Sequence, residues 1–363
     1  MRVALIGPTH PYKGGVAQHT TRLAHELAAH GHDVELVSWS AQYPALLYPG
    51  QQKVDVPEQP VFPRTTYPLS WRWPVGWWRT GRRLRREADV VVLVLVTPVQ
   101  APALVTVMKA LGRRTHTVVL CHNVLPHERR AVDERLVGSV LGRAGAVLVH
   151  ADSEAATAAT LTDVRVVVSP LPPPHLFSTG GDVPSAVGRP VSRCLLFFGI
   201  VRPYKGLDLL LRALVDVPDV RLVVRGEFWG GSEPTRALLA ELGIADRVDL
   251  REGYVDAQEV PALFAAADAL VLPYRSSTAS WNASLGHEHG IPVVATRVGT
   301  MAEQVRDGED GLLCEPDDPA ALAAALRRLY EPDVLEKLRA GIRPPSGQAQ
   351  WDAYVAALED AAG

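Results

Sequence analysis

Cysteine is scarce in this chain: Cys121, Cys194 and Cys314 are three in 363 residues, far apart and each set in an apolar run. Their odd number and wide spacing suit small buried side chains in a reducing compartment better than disulfides or metal ligands, so the cytosol is the expected location. Long apolar runs are missing too. Nothing approaches the roughly 18 to 20 residues that a membrane span requires, although hydrophobic residues make up 47% of the chain and charged ones 21%. The opening MRVALIGPTH passes straight into a buried strand, without the charged and apolar regions of a signal peptide. There is no excess of one charge either: a net charge of −3 is too small to draw nucleic acid through a global field. No zinc-finger or RNA-binding signature is present. The G-x-G-x-x-G fingerprint is absent, which disfavours a nicotinamide or flavin cofactor. No isolated Asp-x-Asp offers a metal site, and Asp317-Asp318-Pro319 reads as a helix start.

The length exceeds the usual single domain, so two domains of about 150 to 180 residues are expected. A proline-rich stretch without periodicity, residues 169–190, marks the boundary region. The expected division is 1–176 and 177–345, with the last helix, about 346–363, returning to the first domain. Within each half, short apolar runs ending in glycine turns alternate with amphipathic helices, the pattern of an α/β doubly wound fold. Residues 3–6 are such a run. Gly14 and Gly15 then precede a helix whose N-terminal N–H groups, with a backbone free to approach closely, suit a phosphate or sugar oxygen. The run HTVVLC places His122 at a strand's carboxyl end, where ligand-facing residues cluster. His127 and Glu128 line the same loop and are further polar candidates there. The run GAVLV ends at His150, with Ser153 as the expected helix cap.

In the second half, CLLFFG is followed by Arg202 and Lys205 at the start of a helix, two cations placed to hold a leaving diphosphate. Tyr254, after RVDLRE, suits either base stacking or the core. Residues 271–299 read strand, Ser/Thr-rich loop, short helix over 282–289, a stop at Gly290-Ile-Pro292, and a second strand. An anion belongs at such a helix N-terminus, while the Ser and Thr residues also suit a plain N-cap. Residues 67–86 gather four of the eight tryptophans with six arginines. A packing helix with a solvated basic face explains most of this stretch; peripheral membrane contact or lipid-linked acceptor binding is the other reading.

The order Pro273, polar loop, short helix, Gly290-x-Pro292-Val-Val-Ala-Thr296, then Gly299, Glu303, Asp307-Gly308 and Gly311 resembles the donor half of the family-4 glycosyltransferases. That family has the GT-B fold, two Rossmann-like doubly wound domains facing a central cleft. The resemblance covers nearly the whole chain and is strongest over residues 197–318. It implies that Gly14 and Gly15 face the donor diphosphate, that His122 contacts the donor sugar, and that Lys205 with Arg202 holds the diphosphate. A common spacing would put the arginine where Ile200 stands. The family's two glutamates, near the donor sugar and on the ribose, fall at Ser277 and Leu285, so both are missing. Glu288, one helical turn on, is the candidate replacement at the ribose. Ser277, Thr278, Ser280 and Trp281 form the expected donor loop, Tyr254 lies where the family approaches the base, and His127 and Glu128 are candidates for the acceptor side. The implied activity is retaining transfer of a sugar from a nucleoside diphosphate sugar to a hydroxyl of a small molecule, glycan or lipid-linked acceptor. It needs no cofactor, metal or protein nucleophile. The missing glutamates leave a second reading, a non-catalytic sugar-nucleotide-binding protein, and a GT-B sugar-nucleotide epimerase is the third.

Overall fold

The structure, a computed structural model, describes residues 1–43, 52–55, 57, 59–112, 114–126, 130–173, 186–277, 280–343 and 347–363. The chain forms two compact units, Met1–Leu176 with Ser346–Gly363, and Phe177–Pro345.

The first unit opens with β1 (Arg2–Ile6), α1 (Gly15–Ala29), β2 (Asp33–Ala41), β3 (Thr65–Ser70) and α2 (Pro74–Glu87). It continues with β4 (Val90–Leu95), α3 (Ala101–Leu111), β5 (His116–Cys121), α4 (Asp133–Leu141), β6 (Ala146–Val149), α5 (Asp152–Ala159) and β7 (Val166–Val168). The seven strands pair in the order β3-β2-β1-β4-β5-β6-β7, and every pair is parallel. A parallel strand covered by helices on both faces has no solvent side, and β4, VVVLVL, is accordingly buried at all of its positions. Ser153 is not the cap of α5; Ala151 holds that position without a side-chain bond, and Ser153 lies in the first turn.

The second unit holds β8 (Cys194–Phe198), α6 (Leu207–Val215), β9 (Arg221–Gly226), α7 (Glu233–Leu242), β10 (Val248–Glu252) and α8 (Val260–Ala265). Then come β11 (Ala269–Leu272), α9 (Trp281–Glu288), β12 (Val293–Thr296), α10 (Met301–Gln304), β13 (Gly311–Cys314), α11 (Pro319–Leu329) and α12 (Val334–Gly341). Its sheet runs β10-β9-β8-β11-β12-β13, again parallel throughout. In both sheets the strand order reverses beside the first strand, between β1 and β4 and between β8 and β11. Loops at the carboxyl ends of such strands flank the crevice where open α/β sheets bind ligands.

The last helix, α13 (Gly347–Ala362), belongs to the first unit. Its Trp351, Tyr354, Val355 and Leu358 are buried in one cluster with residues of β1, β4, β5 and β6. Trp351 also donates its indole N–H to the carbonyl of Pro173 at 3.1 Å. Most of the proline-rich stretch, residues 174–185, lies outside the described residues.

Candidate functional site

In the second unit the chain leaves β8 at Gly199, makes a single tight turn over Pro203–Lys205 and enters α6. Gly206 has φ 67°, and a Cβ there would stand 2.0 Å from the carbonyl oxygen of Pro273. Only glycine lets this turn lie against the loop that follows β11. Arg275, two residues after Pro273, then latches the loops together. Its guanidinium donates to both carboxylate oxygens of Asp208 at 2.8 and 2.7 Å, to Asp317 at 2.8 Å and to the carbonyl of Pro203 at 2.7 Å. The next loop is fastened similarly: a Cβ on Gly299, at φ 49°, would meet the carbonyl oxygen of Ser277 at 1.7 Å.

Inside this clasp Lys205 is held among neutral and aromatic groups. Its Nζ lies 5.3 Å from the centre of the Tyr274 ring. A Cβ on Gly199 would be 3.5 Å from that Nζ and 3.4 Å from Asn282 Nδ2, so both side chains converge over Gly199. Asn282 Nδ2 donates to the carbonyl of Phe198 at 3.2 Å and to the Tyr274 hydroxyl at 2.9 Å. Burial pushes the Lys205 ammonium below the usual lysine range, with Tyr204 opposing the shift and Arg202 adding to it. No carboxylate among the described residues pairs with Lys205. A half-buried ammonium without counter-charge is relieved by an anion. Arg202 stacks its guanidinium over Trp229 at 4.6 Å. Burial also raises Tyr274 to about 12, so it stays a neutral hydroxyl.

Ser280 serves first as the cap of α9, accepting from the N–H of Asn282 at 3.3 Å. Trp281 is the half-buried first residue of that helix, and Glu288 is half-buried at its end. Leu285, at the position of the family's ribose glutamate, is buried in the core beside Ala283 and Ile291. Tyr254 is half-buried in the loop after β10. Thr278, His127 and Glu128 lie outside the described residues.

In the first unit, Gly14 caps α1 with φ 94° and makes no side-chain cap bond, and a Cβ on Gly14 would meet nothing within 4 Å. Below it a histidine cluster forms. His122, just past β5, stands 4.7 Å from His19 of α1 and 4.9 Å from His150, just past β6, between ring centres. Trp351 stacks on His19 at 5.3 Å, and Tyr354 meets the same ring edge-on at 5.2 Å. Burial holds His19 and His122 well below the ordinary histidine range, and neighbouring imidazoles push the same way. Burial also lowers His150 to about 4, against the carbonyl of Ser169, which lies 3.2 Å from Nδ1. A carbonyl only accepts, so His150 carries its proton on Nδ1 and Nε2 is left as an acceptor. All three rings are therefore neutral at pH 7.

Tyr274, Arg275 and Asn282 in one unit, and His19 and His150 in the other, escape sequence reasoning as site residues. No spacing marks them; they meet only because parallel strands end side by side. Among the described residues one group, Glu26, His30 and Asp352, has ligand atoms within 4.8 Å of one another. Glu26 is already paired with Arg22 at 2.5 Å, and none of the three belongs to the clusters above. No helix of the described residues is long and apolar enough to cross a membrane.

Two parallel, doubly wound units with a cation at the switch-point loops define a GT-B architecture. Solved structures of that kind superpose along the chain. One is Alr3699/HepE of Anabaena in complex with UDP and glucose, with a TM-score of 0.71, 17% identity, and coverage of 99% of this chain and 100% of that one. Another is the sucrose-phosphate synthase of Thermosynechococcus elongatus, with a TM-score of 0.69, 19% identity, and coverage of 99% and 97%. At such identities the likeness shows the fold alone. The family profile Glycosyltransferase Family 4 matches residues 13–195, and the profile Glycosyl transferases group 1 matches residues 192–332. The chain belongs to glycosyltransferase family 4. It is similar to the D-inositol 3-phosphate glycosyltransferase of Acidothermus cellulolyticus, 34% identical over 179 residues, which are 46% of this chain and 40% of that protein. The corresponding protein of Thermomonospora curvata is 38% identical over 174 residues, 44% of this chain and 40% of that one. The matched segments span less than half the length of these relatives.

Proposed function

We propose that the chain is a retaining glycosyltransferase that moves a sugar from a nucleoside diphosphate sugar to an acceptor hydroxyl. The observation that carries this reading is Lys205, a half-buried ammonium with no carboxylate partner among the described residues, at the loops beside the β8/β11 switch point. In this reading Lys205 and Arg202 hold the donor diphosphate, and the N-terminus of α6 adds partial positive charge. The Tyr274 ring, whose hydroxyl Asn282 holds, lies against the ammonium. The Ser277 loop and the open end of α1 at Gly14 and Gly15 offer N–H donors, Trp281 and Tyr254 flank the nucleotide, and Glu288 serves the ribose. His122, neutral, hydrogen-bonds the sugar.

In the proposed reaction the bond from the anomeric carbon to the diphosphate breaks while the acceptor oxygen bonds that carbon on the same face. The acceptor proton passes to the departing phosphate oxygen, so no protein nucleophile, cofactor or metal is needed. The protein positions the groups and stabilises charge as it grows on the diphosphate. Because Alr3699/HepE is found with UDP and glucose, UDP-hexoses are the first donors to test. A polyhydroxylated small molecule, a glycan or a lipid-linked sugar is the acceptor class.

A panel of nucleotide sugars, read by thermal shift and by transfer to mixed polyol acceptors, tests the proposal. One donor should stabilise the protein and be consumed with acceptor. Serine and leucine at the two glutamate positions favour one rival, a sugar-nucleotide-binding protein without turnover. Donor binding with neither transfer nor slow hydrolysis would select that rival. Within the enzyme reading, Lys205→Ala should keep the parent's unfolding midpoint and lose about two orders of magnitude or more in turnover, the cost of removing one preorganised charge-stabilising donor. Near-normal turnover in that folded variant would overturn the phosphate clamp.

A further inference from the structure

The sequence favours a packing helix with a solvated basic face for residues 67–86, and the structure has both and adds exposed indoles to that face. Trp77 does pack inward, donating to the carbonyl of Ser70 at 2.8 Å. The inward face of α2 is Gly76, Thr80, Gly81 and Leu84. Three other indoles face water: Trp71 is 37% exposed, Trp73 53% and Trp78 49%, with Val75 at 50% beside them. The remaining tryptophans of the chain, Trp39, Trp229, Trp281 and Trp351, are buried or half-buried. Each exposed indole is matched by a guanidinium: Arg72 over Trp71 at 5.3 Å, Arg79 over Trp73 at 5.9 Å and Arg82 over Trp78 at 5.0 Å. Along α2, Val75, Trp78, Arg79, Arg82 and Arg86 recur at helical spacing on the outward side. Arg83 is spent internally, on Glu35 at 2.7 Å and Glu87 at 2.5 Å. Arg72, Arg79, Arg82, Arg85 and Arg86 are exposed and form no ion pair among the described residues.

We propose that this tryptophan–arginine face docks on an anionic lipid bilayer. The charge is local, since the whole chain carries a net −3, and its alternation with exposed indoles matches the layered chemistry of a membrane surface. Indoles settle at the level of the headgroups, where the ring is apolar and the N–H wet, and guanidinium groups pair with lipid phosphate. The docking is independent of the proposed sugar transfer.

The full chain is to be co-sedimented with vesicles of phosphatidylcholine alone and of phosphatidylcholine with an equal part of phosphatidylglycerol. It should bind the second and not the first, with binding weakened by salt. At about fivefold per cationic side chain, Arg79→Glu with Arg82→Glu should weaken binding at least ~25-fold. Trp73→Ala with Trp78→Ala should also weaken it and reduce the blue shift of tryptophan emission on vesicles. Both doubly substituted proteins should unfold at the parent's temperature, because every replaced side chain is solvent-exposed. Equal sedimentation with the two vesicle types, no sedimentation with either, or undiminished binding by both substituted proteins overturns the proposal. So does a dimer, seen by light scattering, that these substitutions dissociate, for the face would then belong to a second copy of the chain.

Discussion

At the scale of single residues, burial sets the chemistry of both clusters in opposite ways. Lys205 keeps a charge that its surroundings disfavour, which makes an anion welcome; His122 gives up its charge and becomes a neutral hydrogen-bonding group. If His122 meets the sugar and not the nucleotide, His122→Ala should lower kcat by on the order of tenfold or more, the general size of a lost charge-stabilising or hydrogen-bonding contact. Binding of the nucleoside diphosphate, followed by calorimetry, should hardly change. Unchanged turnover would sink the assignment. Lys205-Gly206 is legible in the sequence because a cation and a glycine at a strand-to-helix turn form a local pattern. The use of Ser280 as a cap is legible too, as the plain N-cap that the Ser/Thr run suits, but the position of Leu285 in the core is not, since it depends on what α9 packs against.

At the scale of elements, the second unit's site is a set of loops held in register by Arg275. Its carboxylate partners Asp208 and Asp317 come from α6 and from the loop after β13. These pairs are partly exposed, so Arg275→Ala should cost only about 1 kcal/mol of stability. The loss of positioning weighs more, because a misplacement of about 1 Å at a reacting centre can cost roughly a hundredfold in rate. The expected signature is therefore a small fall in unfolding midpoint with a large fall in kcat, and parallel small effects on both would show that the latch is dispensable. In the first unit, α13 supplies the wall behind the histidines. Trp351 is fully buried there, and Trp351→Ala should lower the free energy of unfolding by about 3 to 5 kcal/mol in denaturant titrations. A loss below about 1 kcal/mol would mean that α13 is not integral to that unit.

At the scale of the whole molecule, imidazoles held neutral by burial make stability depend on pH. His19, His122 and His150 of the first unit, and His287 and His289 of the second, have folded pKa values below the ordinary value near 6.5, His150 and His289 at about 4. Between those limits the unfolded chain binds protons that the folded chain refuses. The contribution is thus complete above about pH 6.5 and is lost as pH falls toward 4, at up to about 1.4 kcal/mol per pH unit for each histidine. Thermal unfolding from pH 7.5 to 4.5 should show the midpoint falling across this window, and His150→Gln should make the fall shallower. A midpoint independent of pH between 7 and 5 would show that the imidazoles are not held neutral.

The sequence by itself determined the architecture and the strand ends that carry the candidate site residues, because buried parallel strands must be continuous apolar runs and their carboxyl-end turns need glycine, proline or polar residues. HTVVLC before His122 and CLLFFG before Arg202 and Lys205 are such runs, and the structure puts each at a strand's carboxyl end. Tertiary structure alone decided which turns meet. Asn282 and Lys205 are far apart in sequence, and so are His122 and His150; the crossovers that place β11 beside β8 and β6 beside β5 bring each pair together. It decided the outward turn of Trp71, Trp73 and Trp78 as well. A helix shows its period in sequence, but which of its faces finds a partner depends on the chain packed against it.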